Sequence, residues 1–482
     1  MAQLMNNPTP ADVSHLPHRN QVASESLEED GLAHSLSKQN NRSLISEFEN
    51  SSIEVYICDG NGFKKKIVEE EAAAKSNDGH HAKANSSFLQ STVNLVGIMI
   101  GLGQLSTPYA LEKGGWMSGF LLVGFGIICA YTATIMGRCL KQNTELKNYQ
   151  DLGQRALGSK GRIITSTFLY VEIFLALVSY TISLGDNLGI IFSNRTHLGL
   201  SWVHLPPSRF LTIIAVVMAL PSLWLRDLSS LSFLSSGGIV TSLLLFFTVS
   251  WAAAFGGVGT KRSIPSLQMI HIPGISGLYI FSYAGHVVFP NIYRSMKNPS
   301  QFSKVIAVSF PLITVIYTGL AFMGATMFGS DIKSQITLNM PRHLIVTKIA
   351  LWATVITPMT KYALELAPVA MQLESVLPHY LGSKSRMAIR ATIGSLLLII
   401  ILIIALTLPY FSYVLALTGS LLSTCISIVF PCLFYIKICR SSITIPGMAL
   451  NIVLITLGIF FGVVGTISSV QSLFESVRES HR

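Results

Sequence analysis

The sequence predicts an all-α integral membrane protein with eleven transmembrane helices arranged as two related halves and one extra helix. Three observations predict this fold class: an apolar composition, a regular series of long apolar segments, and matching interruptions in the first and sixth of them. Of the 482 residues, 50% are hydrophobic and 12% are charged, whereas soluble proteins average about 25% charged residues. Most of the chain is therefore expected to lie in lipid.

The first 85 residues differ in composition from the rest of the chain. They are rich in Ser, Asn, Glu and Lys and poor in aromatic residues, which is typical of a disordered segment. Residues 1–84 contain 8 Lys and Arg against 13 Asp and Glu, so the positive charge of the chain lies beyond them. We predict a disordered cytosolic tail over 1–85, a transmembrane domain over 86–472 and a short C-terminal tail over 473–482.

The apolar segments after the tail are interpreted as membrane spans, since a spanning helix needs about 20 mainly apolar residues. The eleven predicted spans are 87–109, 115–138, 163–192, 209–225, 231–255, 275–296, 303–328, 344–372, 388–408, 411–437 and 447–472. On one side of these spans the connections contain 15 Lys and Arg, and on the other side 7. Because positive residues favour the cytosolic side, this asymmetry predicts a cytosolic N-terminus.

The first span contains residues that weaken a helix. Its run NLVGIMIGLGQLSTP has several glycines, a polar stretch and a closing Pro108. The sixth span, LYIFSYAGHVVFPNIYRSM, repeats one spacing, since Gly103 precedes Pro108 by five residues and Gly285 precedes Pro290 by five. Such glycines and prolines also serve as packing and kink residues in membrane helices, which is the alternative interpretation.

Irregular backbone is tolerated in a membrane where it lines a cavity. Transporters built from inverted repeats place broken helices at corresponding positions of their two halves. The pattern therefore predicts a five-plus-five inverted repeat plus one extra helix, with the first and sixth helices broken around Gly103, Pro108 and Pro290.

Two facing breaks would supply binding groups without charged side chains. The free N–H groups at the N-terminus of a half-helix attract a carboxylate. Unwound carbonyl groups and the C-terminus of a half-helix attract an ammonium group or a cation. Together the breaks can hold both ends of a zwitterion, so they predict an α-amino acid as the ligand.

Four ionisable residues inside the spans are candidates for proton coupling, namely Glu172, His286, Lys361 and Glu365. Ionisable groups are costly in lipid and usually functional. Lys361 and Glu365 are four residues apart and can pair on one helix face, either as a static ion pair or with the Lys361 ammonium group acting as an exchangeable coupling cation. His286 could titrate, bind substrate or hydrogen-bond its own unwound backbone. Glu172 could instead pair with a basic residue near the cytosol.

Three runs resemble the amino acid/auxin permease family, and within it the vacuolar amino-acid transporters of plants and fungi. They are NLVGIMIGLGQLSTPYALEKGGW, YAGHVVFPNIYRSM and TPMTKYALELAPV, and the resemblance covers about residues 86–470. It implies the fold of the sodium-coupled amino-acid symporters and proton-linked transport of small amino acids, often at the vacuolar membrane. By motif it implies a carboxylate-binding backbone at Gly97, Ile98, Met99, Ile100 and Gly101, and an amino-group side at Ser282, Tyr283, Ala284 and Gly285.

The sequence favours a proton-coupled transporter of neutral amino acids in the vacuolar membrane. An enzyme is disfavoured because the chain lacks HExxH, GxSxG and Walker-type motifs, and we expect no cofactor, metal or nucleic acid. A receptor with little flux needs the same broken helices and stays open, as does a plasma-membrane auxin or amino-acid permease. Antiport and symport also stay open. The expected partners are an amino acid, protons and the lipid bilayer, while protein partners of the tail are unknown.

Overall fold

The computed structural model describes residues 86–193, 207–220, 228–257, 263–376 and 382–480. The predicted tail over 1–85 and the last two residues of the C-terminal tail lie outside these ranges. The helices in the described ranges are α1 (Phe88–Met99), α2 (Leu102–Gly114), α3 (Ser118–Gln142), α4 (Tyr149–Ile191), α5 (Pro207–Ala219), α6 (Leu228–Phe255), α7 (Ile272–Ser282), α8 (Phe289–Ser295), α9 (Phe302–Phe328), α10 (Ile345–Val376), α11 (Ser383–Thr407), α12 (Phe411–Leu417), α13 (Phe430–Ile438) and α14 (Ile445–Ser480). The all-α prediction is confirmed.

Helices overlap every one of the eleven predicted spans. Among the described residues, eight helical segments are long and apolar enough to cross a membrane, or nine if α1 and α2 form one bent span. One of the eight is 411–438, in which wider π turns over Thr418–Ser423 and Cys425–Val429 connect α12 to α13. The total of eleven spans stays a prediction.

The predicted break in the first span is present, since α1 and α2 are separated by two residues and bent by 57°. Its position differs from the prediction: the interruption lies at Ile100 and Gly101, while Gly103 and Pro108 lie inside α2. Pro108 fits within a helix because the hydroxyl group of Thr107 donates to the Gln104 carbonyl at 3.3 Å. That carbonyl is the acceptor which the missing N–H group of a proline at this position would leave open.

The sixth span is broken as predicted, between α7 and α8. The last turn of α7 tightens, with the Ala284 N–H group donating to the Phe281 carbonyl at 2.9 Å. A single 3₁₀ turn, His286–Val288, leads into α8. Pro290 lies in the first turn of α8 and so follows the break instead of forming it. A proline there costs no intrahelical hydrogen bond.

The beginning of α1 and the end of α8 are joined by backbone hydrogen bonds. The Ser86 N–H group donates to the Ser295 carbonyl at 2.9 Å, and the Lys297 N–H group donates to the Ser86 carbonyl at 3.0 Å. The two ends therefore lie on the same side of the molecule. Six predicted spans separate them, and an even number of crossings returns the chain to the side on which it started.

The two broken spans pack closely where α2 meets α7. A Cβ atom added at Gly103 would lie 2.6 Å from the Cα atom of Ser282, too close for any side chain. Around this pair, α9 packs against α2 and α3, and α10 packs against α4 and α6. The breaks are thereby enclosed by helices from both predicted halves of the chain.

Candidate functional site

A cavity of about 280 Å³ lies where the two breaks face each other. Its walls come from α1, α2, α4, α10 and the segment between α7 and α8. Six of the predicted substrate-binding residues line it: Gly97, Ile98, Met99, Gly101, Ala284 and Gly285. The sequence therefore brings both interrupted helices to a single space, as the zwitterion hypothesis requires.

The other three predicted substrate-binding residues are turned toward the protein. The hydroxyl group of Ser282 donates to a carbonyl of its own helix at 2.9 Å. The Tyr283 hydroxyl group donates to Thr314 on α9 at 3.0 Å. The carbonyl group of Ile100 accepts a hydrogen bond from Ser242 on α6 at 3.0 Å. These residues hold the unwound segments in place around the cavity.

Two buried hydroxyl groups satisfy carbonyl groups that the first break releases from helical pairing. The Ser242 hydroxyl group shares its one proton between the Ile100 carbonyl at 3.0 Å and the Gly238 carbonyl of its own helix at 2.9 Å, and Tyr317 on α9 donates to the Met99 carbonyl at 2.7 Å. A backbone acceptor in a membrane interior is costly when it is left without a donor. Sequence reasoning missed both donors, because a single hydroxyl group in an apolar helix does not indicate which distant backbone group it meets.

Replacing Tyr317 by phenylalanine is expected to destabilise the folded protein by about 1–3 kcal/mol, the usual cost of leaving a buried acceptor unsatisfied. The measurement is the midpoint of thermal unfolding in detergent, which should fall. Tyr293→Phe is a matched control, because the Tyr293 ring packs edge-on against Phe302 with centroids 5.4 Å apart and keeps that contact without its hydroxyl group. Equal midpoints for the two variants would contradict a role of Tyr317 in supporting the break.

Three ionisable side chains also line the cavity, namely Glu172, Lys361 and Glu365. The Lys361 ammonium nitrogen lies 6.0 Å from the ring centroid of Tyr180, at the outer limit of a cation–π contact. It would lie 3.7 Å from a Cβ atom added at Gly101. The Lys361 side chain therefore extends from α10 to a position beside the first break.

The static ion pair between Lys361 and Glu365 is not formed in this structure. Within the described part of the chain, no carboxylate oxygen lies within 4.0 Å of the Lys361 ammonium nitrogen. The i, i+4 spacing places both side chains on one face of α10, but Lys361 extends toward Gly101 and Tyr180 instead. The side chains of Lys361 and Glu365 both line the cavity without contacting each other.

Glu172 is buried on α4, with 9% of the residue exposed. The hydroxyl group of Ser423 donates to its Oε1 atom at 2.6 Å. Ser423 belongs to the π turns between α12 and α13, and π turns often occur at functional sites. The alternative of a salt bridge to a basic residue is not formed among the described residues. Through this hydrogen bond, Glu172 links α4, which forms part of the cavity wall, to the tenth predicted span.

His286 is fully buried and does not line the cavity. Its Nε2 atom lies 2.9 Å from the Thr132 hydroxyl oxygen and 3.2 Å from the Cys129 carbonyl oxygen, both on α3. Its ring packs against Phe289 with centroids 4.8 Å apart. In this structure the His286 ring contacts α3 and so links the second break to that helix; it does not face the cavity.

The chemistry of the site is that of a binding cavity for a small zwitterion. The N-terminus of α2 and the Lys361 ammonium group lie at the first break and favour an anion there, and the carboxyl groups of Glu172 and Glu365 also line the cavity. Within the described ranges, no group of three or more His, Cys, Asp and Glu side chains is placed to hold a metal ion.

Comparison with known proteins gives one family. Residues 84–474 match the family described as transmembrane amino acid transporter protein. The amino acid transporter AVT1H of Arabidopsis thaliana is 52% identical over 404 residues, which cover 83% of this chain and 93% of that protein. AVT1B of the same plant is 41% identical, covering 82% of this chain and 72% of its own length.

Two solved structures share the fold. The inward-facing conformation of Mhp1 aligns with a TM-score of 0.51 at 11% identity, covering 82% of this chain and 91% of Mhp1. MhsT in complex with L-phenylalanine aligns with a TM-score of 0.50 at 12% identity, covering 79% of this chain and 98% of MhsT. These likenesses confirm the predicted symporter-like fold class.

Proposed function

We propose that this chain, which belongs to the transmembrane amino acid transporter family, carries neutral amino acids across the vacuolar membrane. The proposed cycle is coupled to protons and works by alternating access. Amino-acid transport follows from the family itself. The proton coupling, the neutral substrate and the vacuolar location are the proposal.

The observation that carries the proposal is the single cavity where both helix breaks meet Lys361. A substrate carboxylate fits beside Gly101, because the first N–H groups of α2 and the Lys361 ammonium group both favour an anion there. The substrate amino group then faces the carboxylates of Glu172 and Glu365. These groups match the two ends of an α-amino acid.

The rest of the cavity wall supports a neutral side chain. It is formed largely by apolar residues, among them Ile98, Leu169, Ile173, Phe281 and Val288. An additional negative charge on the substrate would be buried without a partner, because Lys361 already faces the substrate carboxylate, and burying an unpaired charge is costly. The volume of about 280 Å³ lies near the lower end of small-molecule pockets, roughly 300–1,000 Å³, and therefore suits a small amino acid.

Proton coupling is supported by the position of Lys361. A charged ammonium group attracts the substrate carboxylate, and a lysine side chain, unlike an arginine side chain, can release its proton. Binding of the proton and binding of the substrate then strengthen each other, since coupling between two ligands is reciprocal. Alternating access would follow from movement of one repeat against the other around the cavity.

The vacuolar location rests on the resemblance of the three sequence runs to the vacuolar branch of the family. The cytosolic N-terminus rests on the 15 basic residues in the connections on that side against 7 on the other. Immunolocalisation of the full chain, together with protease accessibility of the tail in intact vacuoles, tests both.

The transport proposal is tested with the purified full-length protein in proteoliposomes. Uptake of a radiolabelled neutral amino acid is measured with a pH gradient of either sign and with no gradient. We expect uptake that depends on the gradient, and the sign that drives it distinguishes antiport from symport. Saturable binding without flux under any gradient would overturn the proposal and favour a receptor.

Replacing Glu172 by glutamine is expected to remove most of the gradient-driven uptake, while the substrate still binds with a lower affinity because its amino group loses one of the two facing carboxylates. Glutamine keeps the size of the side chain and can still accept the hydrogen bond from Ser423, but it cannot exchange a proton. Glu145→Gln, in the exposed connection between α3 and α4, is the matched control. Normal gradient-driven uptake by the Glu172 variant would exclude this carboxylate from coupling.

A further inference from the structure

Two cysteine thiols face each other at the end of the helix bundle, away from the substrate cavity. Cys139 lies near the end of α3, and Cys439 directly follows the last residue of α13. Their sulfur atoms are 3.8 Å apart, and both residues are fully buried. They are 300 positions apart in the chain, so only the tertiary fold brings them together.

Two polar contacts flank the thiol pair and join the same two elements. Arg138 donates from its guanidinium group to the Tyr435 hydroxyl group at 3.3 Å. Gln142 donates from its side-chain amide to the Ser442 hydroxyl group at 3.2 Å. The residues on α3 and those around the end of α13 therefore keep a fixed register, which holds the sulfur atoms opposite each other.

The surroundings make Cys439 the more reactive thiol. The hydrogen bond from the Cys139 thiol lowers the pKa of Cys439, and the Arg138 guanidinium group lowers it further, while burial opposes both. The thiolate is the form of cysteine that reacts with oxidants. The exposed residues Arg440 and Ser442 lie one to three positions beyond Cys439, so opening of this turn gives a small oxidant access.

The pair lies on the side of the molecule predicted to face the cytosol. The connection after α3 is joined to α8 by a hydrogen bond of 3.3 Å from Arg294 to the Thr144 carbonyl, and the end of α8 is joined to Ser86 at the start of α1. Cytosolic thiols are kept reduced, and disulfides that form there are usually transient and regulatory. The resting state is then the dithiol.

We infer that Cys139 and Cys439 form a redox-sensitive dithiol, and that its oxidation to a disulfide stops the transport cycle. The Cys439 thiolate attacks one oxygen of a peroxide, which breaks the O–O bond, forms a sulfenic acid and releases hydroxide. The Cys139 thiol then displaces water from that sulfenic acid and forms the S–S bond. Overall the two thiols lose two electrons and two protons, and the peroxide is reduced to two molecules of water.

The disulfide would restrain transport because it joins the two repeats. Cys139 directly follows the second predicted span, 115–138, and Cys439 lies two residues beyond the tenth, 411–437, so one belongs to each half of the five-plus-five arrangement. Closing the sulfur atoms to about 2.05 Å would fix these halves together, whereas alternating access needs them to move against each other. This consequence rests on the proposed transport function, while the disulfide itself does not.

The test treats the full-length protein in proteoliposomes with hydrogen peroxide and measures two things on the same sample. Differential alkylation with mass spectrometry identifies the cross-linked peptides, and amino-acid uptake is followed before oxidation, after oxidation and after reduction with dithiothreitol. We expect a Cys139–Cys439 cross-link, loss of uptake on oxidation, and recovery on reduction. Cys139→Ser and Cys439→Ser should keep their uptake in peroxide, whereas Cys432→Ser, a buried cysteine of α13, should remain sensitive.

Each outcome decides a separate point. A different pairing, or free thiols at both positions after oxidation, would overturn the assignment of the dithiol. If the expected cross-link forms and uptake is unchanged, the inference that the disulfide stops transport is wrong. If the reduced protein shows no uptake under any gradient, the transport proposal fails, and the mass spectrum still decides whether the dithiol forms its disulfide.

Discussion

Replacing Gly101 by valine is expected to lower amino-acid uptake roughly 5- to 150-fold, the factor that corresponds to an overpacking cost of about 1–3 kcal/mol. A Cβ atom at this position would lie 3.1 Å from the Tyr180 hydroxyl oxygen and 3.7 Å from the Lys361 ammonium nitrogen. The two further methyl groups of valine would then occupy the space in which we place the substrate carboxylate. To make room for valine, the side chains of Tyr180 and Lys361 would have to move away from the first break.

The matched control is Gly124→Val in α3, where an added Cβ atom meets no atom within 4 Å among the described residues. Initial rates of uptake at several substrate concentrations separate the two effects expected of Gly101→Val. A raised KM alone indicates lost ground-state binding, and a lowered maximal rate indicates a hindered conformational cycle. Uptake by the Gly101 variant equal to that of the Gly124 variant would move the substrate away from the first break.

The existence of the two broken spans could be predicted from sequence because the signal is local. Glycines, polar residues and a proline within an apolar stretch oppose a continuous helix whatever surrounds them. The position of the first break could not be predicted in the same way. It lies at Ile100 and Gly101 because hydroxyl groups of Ser242 and Tyr317, on two other helices, satisfy the carbonyl groups released there.

The sequence indicates which backbone segments border the cavity better than it indicates how the surrounding side chains are arranged. Gly101 and Gly285, both predicted to bind substrate through their backbone, line the cavity, and their role in binding stays a prediction. Local spacing also allowed Lys361 to pair with Glu365, whereas the structure turns Lys361 across the cavity toward the first break. The partner of Glu172 is Ser423, which lies 251 positions away in a π-helical segment, and no pattern in either helix indicates that contact.

The second large effect is expected at Lys361, whose replacement by alanine should abolish accumulation driven by a pH gradient while exchange of labelled for unlabelled amino acid continues. Removing the ammonium group removes the only cationic side chain among the described residues that line the cavity, so the carboxylate would be held by the N-terminus of α2 alone. Substrate can still enter and leave, but its binding no longer depends on a proton at that position. Affinity should fall because a charge-assisted contact is worth more than a neutral one.

Lys348→Ala is the matched control, since Lys348 is an exposed lysine on the same helix, α10. Lys361→Arg separates charge from titration, because an arginine side chain keeps its positive charge at any accessible pH. If Lys361 couples the proton to the substrate, the arginine variant should bind amino acid at both low and high pH and should not accumulate it against a gradient. Gradient-driven accumulation by either the alanine or the arginine variant would exclude Lys361 as the coupling group and leave Glu172 and Glu365 as the carboxylates through which the cavity can exchange a proton.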